Sequence, residues 1–199
     1  MTSETPSTFD GRLLIGATGS AAVALLPAYI NALRATFTGT VTVVMTHTAG
    51  VFLPPHTVSL FADRVVTGAR DAWQRENPGT LAAEHDLMAV LPSSAHTLSA
   101  VATGAAPNLL TATVAAAEVP VVFFPVMTGA MWAKPAVRRN VDQLRLDGHH
   151  VVDPRVGQRY DVALGRFVES PMPPAPPAVV EVVGKFMPRR GPVADRPSP

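Results

Sequence analysis

Residues 12–25 read RLLIGATGSAAVAL, and no other stretch constrains the fold as tightly. Leu13, Leu14 and Ile15 form a short apolar run, Gly16 and Gly19 bracket a turn, and small residues follow. A buried strand that turns directly into a helix lying on its own sheet has this pattern. Glycines at such a turn permit a positive φ or a close backbone approach, and the first turn of the helix leaves N–H groups free for an anion. Thr18 and Ser20 add hydroxyls beside them. Two readings are open: a plain turn, or one wall of a site for a phosphate-bearing ligand. A dinucleotide fingerprint needs a third glycine and a P-loop needs a lysine, and the stretch has neither.

The rest of the chain repeats strand and helix. Residues 21–35 read as a helix that starts late or bends at Pro27. Residues 41–45 are a β-branched run and a second strand, with Thr46, His47 and Thr48 at its C-terminal end. In open α/β sheets that is the edge where ligands bind. His47 reads as a loop or packing residue, while Thr46 offers a hydroxyl. Pro54 and Pro55 stop one element and open a helix over residues 57–63, with His56 at its start; residues 64–78 form a polar connection containing Trp73. A third strand over 87–91 leads straight into Pro92, Ser93, Ser94, Ala95, His96 and Thr97, again dense in hydroxyls. Helices follow over 98–103, stopped by Gly104, and over 109–117, capped by Asn108. A fourth strand over 121–124 ends in Met127, Thr128, Met131 and Trp132, which can wall an apolar pocket or an interface or belong to the core. Residues 135–146 are an amphipathic helix ended by Gly148; His149 and His150, expected at the solvent, precede a fifth strand from Val151. Residues 154–168 read as a mobile loop or hairpin pivoting on Gly157 and Gly165, then a stiff proline run, then a last helix or strand over 179–186.

The alternation makes one α/β domain over residues 12–170, a three-layer, Rossmann-like open parallel sheet. Residues 1–11 read as a disordered leader and 171–199 as a largely disordered Pro-rich segment. If the strands are parallel, the glycine turn and the hydroxyl-rich strand ends converge on one crevice. The 199 residues suffice for one such core. With 16 basic and 15 acidic residues there is no charge excess for a nucleic-acid surface. Without cysteine there are no disulfides and no thiolate ligands or nucleophile, and no metal site is expected. The N-terminus lacks a basic, then apolar signal, and no run approaches the roughly 18 to 20 apolar residues of a membrane span. A cytoplasmic protein with no membrane partner is expected, and its low charged fraction of 16% is consistent with surface covered by like subunits.

Four segments carry a resemblance. GATGS at 16–20, PSSAHT at 92–97, Gly104 with Asn108-Leu109-Leu110, and PVMTGAMW at 125–132 resemble, in order and spacing, the homo-oligomeric flavin-containing cysteine decarboxylases, whose longer motifs are PASANT and PxMNxxMW. The peptidyl-cysteine decarboxylases of lantibiotic and related ribosomal-peptide pathways are the nearest branch in character. The resemblance implies FMN held by Gly16, Thr18, Gly19, Ser20, Thr46, Pro92, Ser93, Ser94, Thr97, Met127 and Trp132. It implies a precursor peptide ending in cysteine and assembly as trimers or a dodecamer of trimers; Asn108 and Met131 are candidate peptide contacts, and Arg155, Arg159 and Tyr160 in the late loop can close over the peptide carboxylate. In the family the flavin oxidises the thiol side of the terminal cysteine, CO₂ leaves, and an aminoenethiol remains. Two departures stand out: the family's catalytic His position holds Pro78, and the PxMNxxMW asparagine is Thr128. The expected catalytic residues are therefore Thr128 and, as base, His56, ahead of His47 and His96. His85, seven residues beyond Pro78, is no simple substitute. Other flavin chemistry on this fold, such as prenyl transfer, and a non-catalytic FMN-binding subunit are the competing readings.

Overall fold

The computed structural model describes residues 9–69 and 74–188. Trp73, residues 1–8 of the expected leader and the tail from residue 189 lie outside the described residues. Strands β1 (Arg12–Ala17), β2 (Thr40–Met45), β3 (Arg64–Val66), β4 (Leu87–Ser93), β5 (Val121–Pro125) and β6 (His150–Val151) form one parallel sheet in the order β3-β2-β1-β4-β5-β6. The expected polar connection thus begins with a strand, β3, whose short Arg-Val-Val run pairs with β2.

Strand periodicity assigns the layers. Leu13, Ile15, Val41, Val43, Leu87 and Ala89 face one side of the sheet. There they meet α1 (Leu26–Arg34), α2 (His47–Phe52) and α9 (Pro176–Phe186) through Leu26, Tyr29, Ile30, Ala49, Val179 and Val183. Leu14, Val44, Met88, Val90 and Phe123 face the other side. They meet α4 (Pro78–Ala83), α5 (Ala95–Ala102), α6 (Leu109–Ala116) and α8 (Pro135–Leu146) through Leu81, Leu98, Leu110, Val114, Val141 and Leu144. The segment over 21–35 splits as Pro27 requires, into a 3-10 turn (Ala21–Leu25) and α1. Pro55 opens only a four-residue helix, α3 (Pro55–Val58), shorter than the expected 57–63.

The chain order reverses between β1 and β4. β1, β2 and β3 run outward on one side, β4, β5 and β6 on the other, which opens a crevice beyond the C-terminal ends of β1 and β4. The late segment is a hairpin, β7 (Arg155–Asp161) with β8 (Arg166–Met172), in its own two-stranded sheet. Gly165 takes a left-handed φ of +62° in its turn; Gly157 is no pivot but a strand residue opposite Ser170.

Structure extends into both flanks, and the last helix or strand expected over 179–186 is a helix. Phe9 packs on Phe37 with ring centroids 5.1 Å apart and bridges to it, so the end of the leader is ordered. Residues 176–186 are helical because Pro176 and Pro177 occupy the first turn of α9, where a missing N–H costs nothing. Nor do His149 and His150 simply face solvent. His149 sits edge-on to Phe123, and His150 stacks on Phe186 at 4.0 Å between centroids.

Candidate functional site

On the C-terminal edge of the sheet, four strands end in a hydroxyl that caps the helix after it. Ser20 Oγ accepts from Ala22 N at 3.4 Å, Thr46 Oγ1 from Ala49 N at 3.3 Å, Ser94 Oγ from Thr97 N at 3.3 Å and Thr128 Oγ1 from Met131 N at 3.3 Å. The last of these opens α7 (Gly129–Trp132). A cap of this kind stabilises its helix by about 1 kcal/mol. It uses a lone pair and leaves the hydroxyl proton to donate, so a cap can also face an anion. Ser94 and Thr97 share a further bond, Oγ to Oγ1 at 3.1 Å.

Deeper in, the hydroxyls divide by role. Thr18 is buried; its Oγ1 donates to the Pro92 carbonyl at 2.7 Å and accepts from Ser94 N at 2.9 Å, tying the end of β1 to the end of β4. Ser93 is fully buried, and its Oγ has no hydrogen-bond partner among the described residues. Neither Gly16 nor Gly19 uses a positive φ. Both serve close approach: a Cβ on Gly16 would sit 2.5 Å from a Leu110 methyl, and one on Gly19 would sit 2.6 Å from Thr48 Cβ.

The substrate-side candidates gather around α7. Thr128 and Met131 are exposed, Met127 and Trp132 half-buried, and the Arg138 guanidinium lies 4.8 Å from the Trp132 ring centre. The hairpin root reaches this helix: Pro171 of β8 lies 3.5 Å from where a Gly129 Cβ would stand. Arg155 is exposed, Arg159 pairs with Asp161 at 3.1 Å, and Tyr160 meets Phe167 edge-on at 5.4 Å. Asn108 is placed differently, its side chain closing a capping box with Thr111 at the start of α6. Two residues at this end carry no sequence signal. Buried Tyr29 on α1 donates its hydroxyl proton to the Pro174 carbonyl at 2.8 Å, holding the chain just beyond the hairpin, and Arg138 holds Trp132.

Of the imidazoles, His47 begins α2 and His96 lies in the first turn of α5, both directly beyond strand ends, while His56 lies in α3; all three are exposed. Pro78 is the first residue of α4, capped by Asn77 through a 3.0 Å bond to Thr80 N. His85 lies before β4, on the opposite edge of the sheet. It is buried, and its Nδ1–H donates to the Leu81 carbonyl at 2.6 Å. Burial pushes it below the ordinary imidazole pKa, against the raising effect of that bond.

A profile of the family described as Flavoprotein matches residues 2–171. The mersacidin decarboxylase of Bacillus sp. (strain HIL-Y85/54728) is 36% identical over 156 residues, 78% of this chain and 80% of that one. The solved structure of MrsD from the same strain superposes with a TM-score of 0.78 at 31% identity, over 90% of this chain and 97% of that one. A His-to-Asn variant of EpiD complexed with the substrate peptide DSYTC superposes with a TM-score of 0.79 at 26% identity, over 88% and 99%.

Proposed function

Because this chain belongs to the Flavoprotein family, we propose that it is an FMN-dependent enzyme that oxidatively decarboxylates the C-terminal cysteine of a precursor peptide to an aminoenethiol, in ribosomal peptide natural-product biosynthesis. The similarity to the mersacidin decarboxylase along four-fifths of both chains carries the reading.

The residues at the crevice suit FMN. Segments 18–20, 46–48 and 92–97 hold hydroxyls and no carboxylate, and α2 and α5 begin on this edge with their N–H groups. In this reading Gly16, Gly19 and Ser20 line the first loop, Thr46, Pro92, Ser93, Ser94 and Thr97 surround the phosphate and ribityl chain, and Met127 and Trp132 wall the ring. Bound FMN supplies the two-electron oxidation that prepares the cysteine for loss of CO₂.

The protein's own part is to bind, orient and move protons. Thr128 already accepts from Met131 N, so its proton is available to the peptide carboxylate. With proline at the usual histidine position, base duty at the thiol or Cβ falls to an exposed imidazole, which we assign to His56. Asn108 and Met131 contact the peptide, and the hairpin bearing Arg155, Arg159 and Tyr160 closes over its carboxylate end. A single copy leaves Val51, Phe52 and Leu60 exposed, and assembly as trimers, or as a dodecamer of trimers, would cover such surface. Among the described residues no helix is long and apolar enough to cross a membrane; we place the enzyme in the cytoplasm, with its precursor peptide.

Mass spectrometry of a cysteine-terminated peptide incubated aerobically with the FMN-loaded protein tests the reading: a loss of about 46 Da, one CO₂ and two hydrogens, is expected. Pro78 favours one alternative, an FMN-binding protein without this activity. Tight FMN binding with no mass change across varied peptides would establish that alternative instead.

A further inference from the structure

The hairpin of β7 and β8 joins the body at two roots, and both lead to α7. The second root is direct: Pro171 lies 3.5 Å from where a Cβ on Gly129, the first residue of α7, would stand. The first root runs through side chains. Asp153 is separated from β7 only by Pro154, whose ring fixes φ. Its Oδ2 takes the Arg145 guanidinium at 3.1 Å, and its Oδ1 lies 3.9 Å from Arg138 Nη1. Arg145 also donates to the Val151 carbonyl at 3.1 Å, and Val152 N donates to the Phe123 carbonyl at 3.0 Å, so the chain leading to Asp153 is held to α8 and β5. Near the start of α8, Arg138 places its guanidinium 4.8 Å from the ring centre of Trp132, the last residue of α7. A guanidinium suits both contacts, since its flat face lies on a ring while its N–H edge meets a carboxylate.

The helix between these two contacts is a single turn of four residues, capped by Thr128 and carrying the exposed Met131. One turn has too few hydrogen bonds to hold itself in place, so what touches its two ends sets where it stands. We propose that Arg138 is a positioning residue that joins the first root of the hairpin, through Asp153, to Trp132, so that the hairpin and α7 close on the peptide as one unit. The proposal rests on the decarboxylase reading above and adds to it a residue that itself contacts neither peptide nor flavin. Exposed ion pairs and cation–ring contacts are individually weak. What they bias here is the open–closed balance of a hairpin, which even a weak contact shifts.

Two measurements test it. Hydrogen–deuterium exchange of the purified protein needs no turnover. The α7 probes are the amides of Trp132, Ala133 and Lys134, which donate to the carbonyls of Thr128, Gly129 and Met131. In Arg138→Gln these amides and those of β7 and β8 should all exchange about threefold faster, while β1 and β4 keep their wild-type rates. Asp153→Asn should give the same pattern, and the double variant should add little to either single one. In steady-state decarboxylation of a cysteine-terminated peptide, both variants should raise KM about threefold, with kcat and the FMN Kd near wild type.

Faster exchange in the hairpin alone or in α7 alone, or no change in either, would overturn the coupling. So would effects of the two substitutions that simply multiply, or an unchanged KM in a protein that turns over. If Arg138→Gln does not fold, Asp153→Asn, at an exposed position, decides by the same comparison. A protein that releases no CO₂ from any peptide would overturn the decarboxylase reading, while the exchange pattern would still decide whether Arg138 ties the hairpin to α7.

Discussion

The two edges of one sheet are built from different chemistry. At the N-terminal edge polar groups are charged and spent on each other. Asp86 accepts from Arg12 N at 2.8 Å and pairs with its guanidinium at 2.7 Å. Asp63 takes both Arg34, at 2.6 Å, and Val41 N, at 2.7 Å; Arg64 pairs with Glu84 at 3.0 Å. At the C-terminal edge the strands end in neutral hydroxyls and helix N-termini. The charged edge ties strand starts to the loops before them; the hydroxyl edge keeps donors for a ligand. The layout follows from parallel topology, which gathers every helix start that follows a strand at one end.

The comparison breaks most visibly if catalysis is not confined to the hydroxyl edge. Thr128→Ala removes the donor proposed for the peptide carboxylate, and a drop in kcat/KM of about a hundredfold is expected, the scale of losing a donor to developing charge. His56→Asn should cost about as much as general-base catalysis contributes, roughly 10²-fold or more. The melting midpoint should stay close to wild type for His56→Asn, whose side chain is exposed, and fall by about 2 to 4 °C for Thr128→Ala, which loses the cap of α7. Steady-state decarboxylation by mass spectrometry checks both; an equal loss from His47→Asn or His96→Asn, with His56→Asn active, would move the base to that helix.

The opposite edge should respond in stability and not in cofactor affinity. Asp86→Ala strands the Arg12 N–H and loses a charged, partly buried pair, for about 2 kcal/mol. In a chain of this size that lowers the melting midpoint by roughly 4 to 8 °C. The FMN Kd of the folded variant should be unchanged; a large rise would mean that the two edges are coupled.

Much of this contrast is legible in the sequence, because strand ends followed by Thr, Ser and small residues announce themselves locally. So do the strand–turn–helix at Gly16 and the helix that Gly148 ends. What escapes is whatever depends on distant partners. Thr18 looks like one more ligand hydroxyl until Pro92 and Ser94, 74 and 76 residues away, are seen to use it up. β3 is too short to show a period, and it is a strand because β2 offers an edge. The prolines at 176 and 177 suggest an extended run, yet at a helix start they are compatible with the fold, and Val179 and Val183 then find the sheet.

Acid should expose the N-terminal edge next. His85 is neutral when buried, with a folded-state pKa below its unfolded value near 6.5. Between those two values the unfolded chain binds a proton that the folded chain refuses, so stability falls as pH drops below about 6.5, by at most about 1.4 kcal/mol per pH unit. Half-buried His149, shifted the same way by burial, adds to the slope. His85→Gln keeps a donor for the Leu81 carbonyl and does not titrate, so its denaturation midpoints should depend less on pH below about 6.5. An unchanged profile would place the acid sensitivity elsewhere.

The smallest expected effect sharpens the contrast at the hairpin. Tyr29 is the one buried phenol bonded to the segment after β8; burial pushes its pKa up, so it stays a neutral donor to the Pro174 carbonyl. Tyr29→Phe keeps the packing of the ring and removes one hydrogen bond, for about 1 kcal/mol of stability. Because Pro174 follows the hairpin whose root lies against α7, loosening it should weaken closure over the peptide while leaving the reacting groups in place. KM for the peptide should rise a few-fold with kcat nearly constant, the signature of lost uniform binding. A fall in kcat at constant KM would mean that the hairpin takes part in the chemical step, and the hydroxyl edge would no longer account for the catalysis by itself.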